Sequence, residues 1–294
     1  MNAKAMTVGS VVSVRRYPVK SMQGEEINGA DITDRGILGD RAYALMERTT
    51  GHIASAKHPR KWSKLLECRA TFVEPPQLGK PLPPVWITLP DGVVICSSQP
   101  DIDRVLSNVL ERDVTLLAQA PANPTREADR TPIDDSSHQE TIQQEPVALA
   151  APVGTFFDYS ALHILTTATV NRFRELYPAG QFEMRRFRPN LVVSPDSDER
   201  DFIENHWLGN LVTIGTHTQL SIIDPCPRCV MTTLPQAELP RDVGILRTVG
   251  QHNRVASVTL APGVIFPAVA GVYAIVLHPG RICQGDLVGL QGES

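Results

Sequence analysis

The sequence predicts a strand-rich α+β protein made of two barrel-like halves. Three observations carry that prediction. Short β-branched runs recur along the whole chain, Gly, Asp or Pro bounds most of them, and helical periodicity appears in only two places. No internal repeat of fixed period is present.

The elements follow in order. "GSVVSVRRYPVKS" opens on a β-branched run and meets Pro18 before its end. "DITDRGILGDRAYALMER" has turn signals at Arg35-Gly36 and Gly39-Asp40, then alternates from Arg41 to Leu45. "PPVWITLPDGVVICSS" reads as a hairpin turning at Asp91-Gly92. The first helix is expected over Asp101 to Leu110, where Ile102, Val105, Leu106, Val109 and Leu110 form one face. Residues 121–146 contain no Leu, Val, Phe, Tyr or Trp and read as a linker or flexible surface loop. That stretch divides the chain into 1–120, 121–146 and 147–294. The second half opens with "SALHILTTATVNRFRELYP", a strand entering a helix with Thr167 as candidate N-cap. "NLVVS", "NLVTIG", "TQLSIID", "RVASVTLA", "GVYAIVLHPG" and "GDLVGL" then read as strands.

Composition excludes several classes of function. The 294 residues are 42% hydrophobic and 20% charged, as in a soluble globular protein. A formal net charge of −4 gives no reason to expect nucleic acid or an anionic membrane as partner. Any anion site must therefore be a local cluster of basic groups. No segment reaches the ~18 uninterrupted apolar residues of a membrane span, and the first residues lack a signal-type apolar core. Five scattered cysteines do not make a disulfide framework, so a reducing, cytoplasmic setting is expected.

Two of those cysteines, Cys226 and Cys229, frame "DPCPRC". The pair is half of a structural zinc set, but no second Cys-x-x-Cys or His pair at standard spacing completes it. A thiol redox pair belongs at a strand-to-helix junction, and "VMTTLP" after Cys229 reads as extended. Two small buried residues beside a strand end remain an ordinary reading. The last is a thiolate whose pKa Arg228 lowers, suited to a soft metal.

Basic residues gather in separate segments. "RRFRPNLVVS" places Arg188 and Asn190 at the mouth of a buried run, where a guanidinium needs a partner such as phosphate or carboxylate. "YPVKS" sets Lys20 and Ser21 in a turn after a strand, and "GDRAYAL" sets Arg41 at a strand start. Each also reads as an ordinary solvated residue. Thr166 and Thr167 at a helix start could meet an anion or simply cap the helix. Lys57 and His58 are candidate rim residues, and Trp62 and Trp207 read as packing.

Taken in order, "YPVKS", "GDRAYAL", "RRFRPNLVVS" and "DPCPRC" resemble proteins with a MOSC N-terminal β-barrel domain followed by a MOSC domain, nearest the mitochondrial amidoxime reducing component and its bacterial counterparts. The likeness runs from about Val11 to Leu290. It implies a β-barrel-like N-terminal domain, a MOSC β-barrel with a few helices, and a molybdenum cofactor (Mo-molybdopterin). It implies Cys229 as molybdenum ligand, with Cys226 its neighbour and Arg228 tuning the site. Lys20, Ser21 and Arg41 match positions that contact the cofactor's phosphate, and Arg188 and Asn190 match those that hold pterin and phosphate. Thr166 and Thr167 match more loosely.

The activity so implied is reduction of N-hydroxylated or N-oxide small molecules, with electrons from a separate ferredoxin, cytochrome b5-type protein or flavoprotein reductase. No iron–sulfur cluster and no membrane anchor are expected in this chain. Two rivals stand beside it: sulfur transfer through a Cys229 persulfide, and a carrier that binds the cofactor without catalysis.

Overall fold

The computed structural model describes residues 6–131, 141–197 and 200–291. Seven strands close into a barrel: β1 (Met6–Arg16), β2 (Leu162–Thr166), β3 (Leu191–Pro195), β4 (Leu211–Ile214), β5 (Thr218–Pro227), β6 (Val269–His278) and β7 (Leu287–Gln291). Hydrogen bonding runs β3–β2–β6–β5–β4–β7–β1 and returns from β1 to β3. The longer helices are α1 (Ile102–Leu110), α2 (Thr167–Leu176) and α3 (Val243–His252). Within the ring only β2 and β3 are parallel, and α2 supplies the crossover that a parallel pair needs.

The first strand comes from the N-terminal half yet closes the barrel of the C-terminal half. Val11 pairs with Val193 and Val14 with Leu191, and one extra residue is accommodated between positions 11 and 13. Both valines point inward with Leu162, Ile164, Val212, Ile222, Val272 and Val288, all buried. Burying a side chain of this size contributes about 1.5–3 kcal/mol. Closure leaves this ring without a free edge.

A second core draws on residues from Val19 to Val114, while Ala30, Ile32 and Ile37 pack into the barrel. The expected hairpin forms between Val85–Thr88 and Val94–Cys96, with Gly92 at φ 86° in its turn. Leu106 and Leu110 on the apolar face of α1 pack there with Leu45, Trp62, Leu65, Ile87 and Val114. A third cluster joins Phe173 of α2 to Phe182, Phe187, Ile245 and Val249, which fastens α2 and α3 together. No helix among the described residues is long and apolar enough to cross a membrane.

Three stretches differ from expectation. Thr125–Asp129 and Ile142–Pro146, inside the expected linker, pair as an antiparallel hairpin with Arg126 and Ala128 buried; residues 132–140 lie outside the described residues. Polar residues build this hairpin because ion pairs, rather than an apolar face, hold it down. In "RVASVTLA" only Val255 and Ala256 pair, with Phe266 and Ile265. The Ser257 N–H still donates to the Val264 carbonyl, but those of Val258 and Leu260 donate to the buried Asp224 carboxylate instead of a partner strand. Finally, Val230–Thr233 is a turn of 3-10 helix and not extended. The Thr232 and Thr233 hydroxyls donate back to the carbonyls of Cys229 and Val230 and tighten it.

Candidate functional site

A cleft of about 750 Å³, counted to its open mouth, gathers most of the residues singled out from the sequence. Lys20, Ser21, Arg41, Arg188, Asn190, Cys226, Arg228 and Cys229 all line it, as does Lys57. Five of the lining side chains are basic (Lys20, Arg41, Lys57, Arg188, Arg228), against a single carboxylate, Asp158. The chain is acidic overall, so the excess of positive charge is local and favours an anion.

Backbone strain aims several of these groups. Ser21 (φ 65°), Arg41 (φ 47°) and Arg188 (φ 55°) are left-handed although none is glycine. Such conformations cost about 1 kcal/mol or more each and persist where surroundings hold them. Arg41 is held by its N–H on the Tyr17 carbonyl (2.8 Å), and Arg188 by its N–H on that of Met184 (3.1 Å). The Ser21 hydroxyl accepts from the Ala56 N–H at 3.1 Å and keeps its own proton to donate. Gly271 serves the same end on β6: at φ 83°, a Cβ there would overlap His163 Nε2 and the Ile164 carbonyl.

The two arginines stack on one ring. Arg188 lies 4.2 Å and Arg41 4.5 Å from the Tyr17 centroid. Burial, reinforced by Arg41, pulls the Arg188 pKa down to about 10, so it remains charged at neutral pH. Arg41 pairs with the buried Asp40, which also accepts from Asn190 Nδ2 at 2.9 Å. Asn190 Oδ1 accepts the His163 N–H at 3.2 Å, so its amide braces the cleft wall with both ends. Burial, with the Arg228 charge beside it, pushes His163 down to about 3 and keeps the ring neutral.

The cysteines are not equivalent. Cys226, 1% exposed at the end of β5, accepts from Arg228 Nη1 at 2.8 Å. Cys229 is more open and precedes the 3-10 turn, so the arginine between them serves the buried thiol. Arg228 Nη2 donates to the Phe187 carbonyl at 2.7 Å, while its Nε is buried without a partner among the described residues. Both thiols are free, and no group of three or more His, Cys, Asp or Glu among the described residues is placed to hold a metal ion. An ion bound at Cys229 must therefore bring other ligands with it.

Lys20 is 5% exposed, and its amine donates to Asp158 Oδ1 at 2.5 Å and to the Phe156 carbonyl at 2.7 Å. Asp158 also meets Lys57 at 3.0 Å and Arg126 Nε at 2.9 Å. Burial would raise this carboxyl, but Arg126, Lys20 and Lys57 outweigh it and hold it well below the usual range. Sequence reasoning missed Asp158 and Arg126. The one visible signal was an acid inside the apolar stretch "TFFDYSAL".

Thr166 and Thr167 stand apart from the cleft lining. Thr166, not Thr167, caps α2, accepting from the Thr169 N–H at 3.2 Å. Its hydroxyl donates to the buried Glu204 at 2.6 Å, and Thr169 adds a bond at 2.7 Å. The Thr166 side chain is thus spent on the framework. Burial raises the Glu204 pKa, and Oε1 has no partner among the described residues. A carboxyl raised on folding stabilises below its unfolded pKa of about 4.3, and that stability is lost as pH rises through the folded value. Glu204→Gln keeps an acceptor for both threonines without the charge. Its thermal midpoint is expected to exceed the parent's at pH 8 and to fall less between pH 5 and pH 8 in a melting series.

The MOSC domain family matches residues 152–289, and the MOSC N-terminal beta barrel domain family matches residues 8–71. Mitochondrial amidoxime reducing component 2 of Macaca fascicularis is 26% identical over 259 residues, spanning 77% of this chain and 67% of that protein. The Homo sapiens protein of the same name is 24% identical with the same coverage. Among solved structures, the YUAD protein from Bacillus subtilis covers 99% of this chain and all of its own, at 13% identity and a TM-score of 0.43. The chain belongs to the MOSC family, with the MOSC N-terminal beta barrel domain ahead of the MOSC domain.

Proposed function

We propose that this chain binds a molybdenum cofactor in the basic cleft and reduces N-hydroxylated or N-oxide small molecules, taking electrons from a separate protein. Membership of the MOSC family supports a molybdenum-cofactor-binding protein, and the likeness to amidoxime reducing components supports the reductase reading. The observation that carries it is the meeting of five basic side chains with the more open thiol, Cys229, in one cleft.

The residues fit such a group. A phosphate finds Lys20, Ser21, Arg41 and Arg188 drawn from three separate segments, and charge-assisted bonds of this kind are strong. Arg228 Nε is a buried donor without a partner among the described residues. Asn190, braced at both ends, offers the pterin a rigid wall. Cys229 would be the single thiolate ligand, with the metal's remaining sulfur ligands coming from the pterin dithiolene. When bound, the cofactor supplies two-electron oxygen-atom transfer.

The chain's own part is binding, orientation and charge. Strained backbone at Ser21, Arg41 and Arg188 presets the phosphate contacts before the group arrives, which lowers the ordering cost of binding. Arg228 holds Cys226 in place and leaves Cys229 as the thiol available to the metal. Neutral His163 adds no charge to the wall.

Turnover tests the reading. Full-length protein from a molybdenum-replete, cofactor-competent host should convert a hydroxylated amidine to the amidine with an artificial electron donor. Cofactor-loaded protein that leaves the substrate untouched would support the carrier reading instead.

A further inference from the structure

We infer that Asp158 is a positioning residue of the anion site: it keeps Lys20 protonated and turned into the cleft, so that an incoming phosphate meets a cation. The inference rests on the proposed anion-binding role of the cleft. Asp158 itself is an acid inside a basic site, where a charge of that sign works against an anionic ligand. Its geometry gives the reason for its presence.

A lysine as buried as Lys20 loses its proton readily unless a counter-ion compensates. Burial pulls this amine down to about 8, with Asp158 opposing the fall. The ammonium has three donors; the Asp158 carboxylate and the Phe156 carbonyl take two, and one remains for the cleft. Asp158 meets Lys20 through Oδ1 and Lys57 through Oδ2, while Arg126 approaches Oδ1 as well. Three cations around one carboxylate leave a positive excess even with Asp158 ionised. Arg126, 3% exposed, is tied in turn to Glu145 across the hairpin at 2.7 Å. The charged groups facing Lys20 are therefore Asp158 on the segment entering β2, Lys57 on the loop before Pro59, and Arg126 with Glu145 on the hairpin. Arg41 and Arg188 line the same cleft. Among these only Asp158 contacts the amine as an anion.

Asp158→Asn keeps the shape and removes the charge, leaving Lys20 among cations. A neighbouring opposite charge moves a pKa by about 1–3 units, so proton loss from Lys20 should shift into or below the neutral range. Sulfate is the useful probe because it stays a dianion across the whole range. Calorimetric titration of sulfate into the full-length, cofactor-free chain from pH 5.5 to 9 should show a binding profile that falls with a midpoint near the Lys20 value. In Asp158→Asn the acid plateau should be at least as tight, because the carboxylate no longer repels the anion. The midpoint should move down by about one unit or more. A merely structural role would weaken binding at every pH alike.

An unchanged midpoint, or equal loss across the series, overturns the inference. Competitive acetylation of the unmutated chain, read by mass spectrometry, reports Lys20 directly and covers a variant that fails to fold. Proton loss near pH 8 or above supports the inference, and proton loss below neutral pH with the Asp158 carboxylate in place overturns it. The underlying anion reading fails in a different way: the unmutated chain would bind no sulfate, or Arg188→Gln would bind it as tightly as the parent.

Discussion

Arg186→Met is expected to destabilise the protein by about 3–5 kcal/mol, among the largest effects of any single change outside the cleft lining. Arg186 is fully buried, and its partners are carbonyl oxygens rather than a carboxylate. Nε donates to Gln181 at 2.9 Å, Nη1 to Thr232 and Leu234 at 3.1 Å each, and Nη2 to Pro240 at 2.8 Å. One guanidinium thus closes four backbone acceptors, and its bonds to Thr232 and Leu234 are fully buried. Methionine fills much of the volume and leaves all four unpaired. Lysine has three donors at one point and cannot span them, so Arg186→Lys should recover only part of the loss. Urea unfolding measures this as a lower midpoint at unchanged slope. A loss below about 1 kcal/mol in Arg186→Met would show that the four bonds contribute little net stability. The effect reaches the site because Thr232 and Leu234 belong to the turn that follows Cys229.

Much of the barrel was legible because strands with one face buried alternate, and turns carry Gly or Asp. Leu191–Pro195, Leu211–Ile214, Thr218–Pro227, Val269–His278 and Leu287–Gln291 fall on expected runs. The destination of the first strand was not legible. A valine-rich run states that one face is buried, not which edge it will pair with, and β1 crosses the chain to close β3 against β7. The hairpin at 125–146 was hidden for a related reason: its anchors are Arg126 to Glu145 and Asp158, ion pairs that composition does not reveal.

In the site, local motifs identified residues better than partners. The eight residues read from motifs as ligands or neighbours in the four quoted segments lie together in the cleft only because separate turns present them: Lys20 and Ser21, Arg41, Arg188 and Asn190, Cys226, Arg228 and Cys229. Arg228 was expected beside the reactive thiol, but its Nη1 bonds to Cys226. Spacing within Cys-x-x-Cys does not say which thiol the guanidinium will face; the end of β5 decides it. Asp158 lies 138 residues from Lys20, beyond any local pattern.

The second large effect concerns the cysteine pair. Both thiols line the cleft, but Cys226 is buried and accepts from Arg228, whereas Cys229 is the more exposed of the two. On the proposed reading Cys229 is the single thiolate ligand, and no cluster of other ligands stands beside it among the described residues, so its loss would remove the protein's own bond to the metal. Serine is a harder and far less acidic ligand than a thiol and does not replace it. Cys226→Ser alters the hydrogen-bond acceptor of Arg228 and leaves the proposed metal ligand intact. The decisive measurement is the molybdenum and pterin content of the unmutated chain, Cys229→Ser and Cys226→Ser, all purified from one cofactor-competent host. The account predicts near-stoichiometric molybdenum and pterin in the unmutated chain, largely retained in Cys226→Ser, with the molybdenum mostly lost in Cys229→Ser. Full molybdenum and full activity in Cys229→Ser would contradict it.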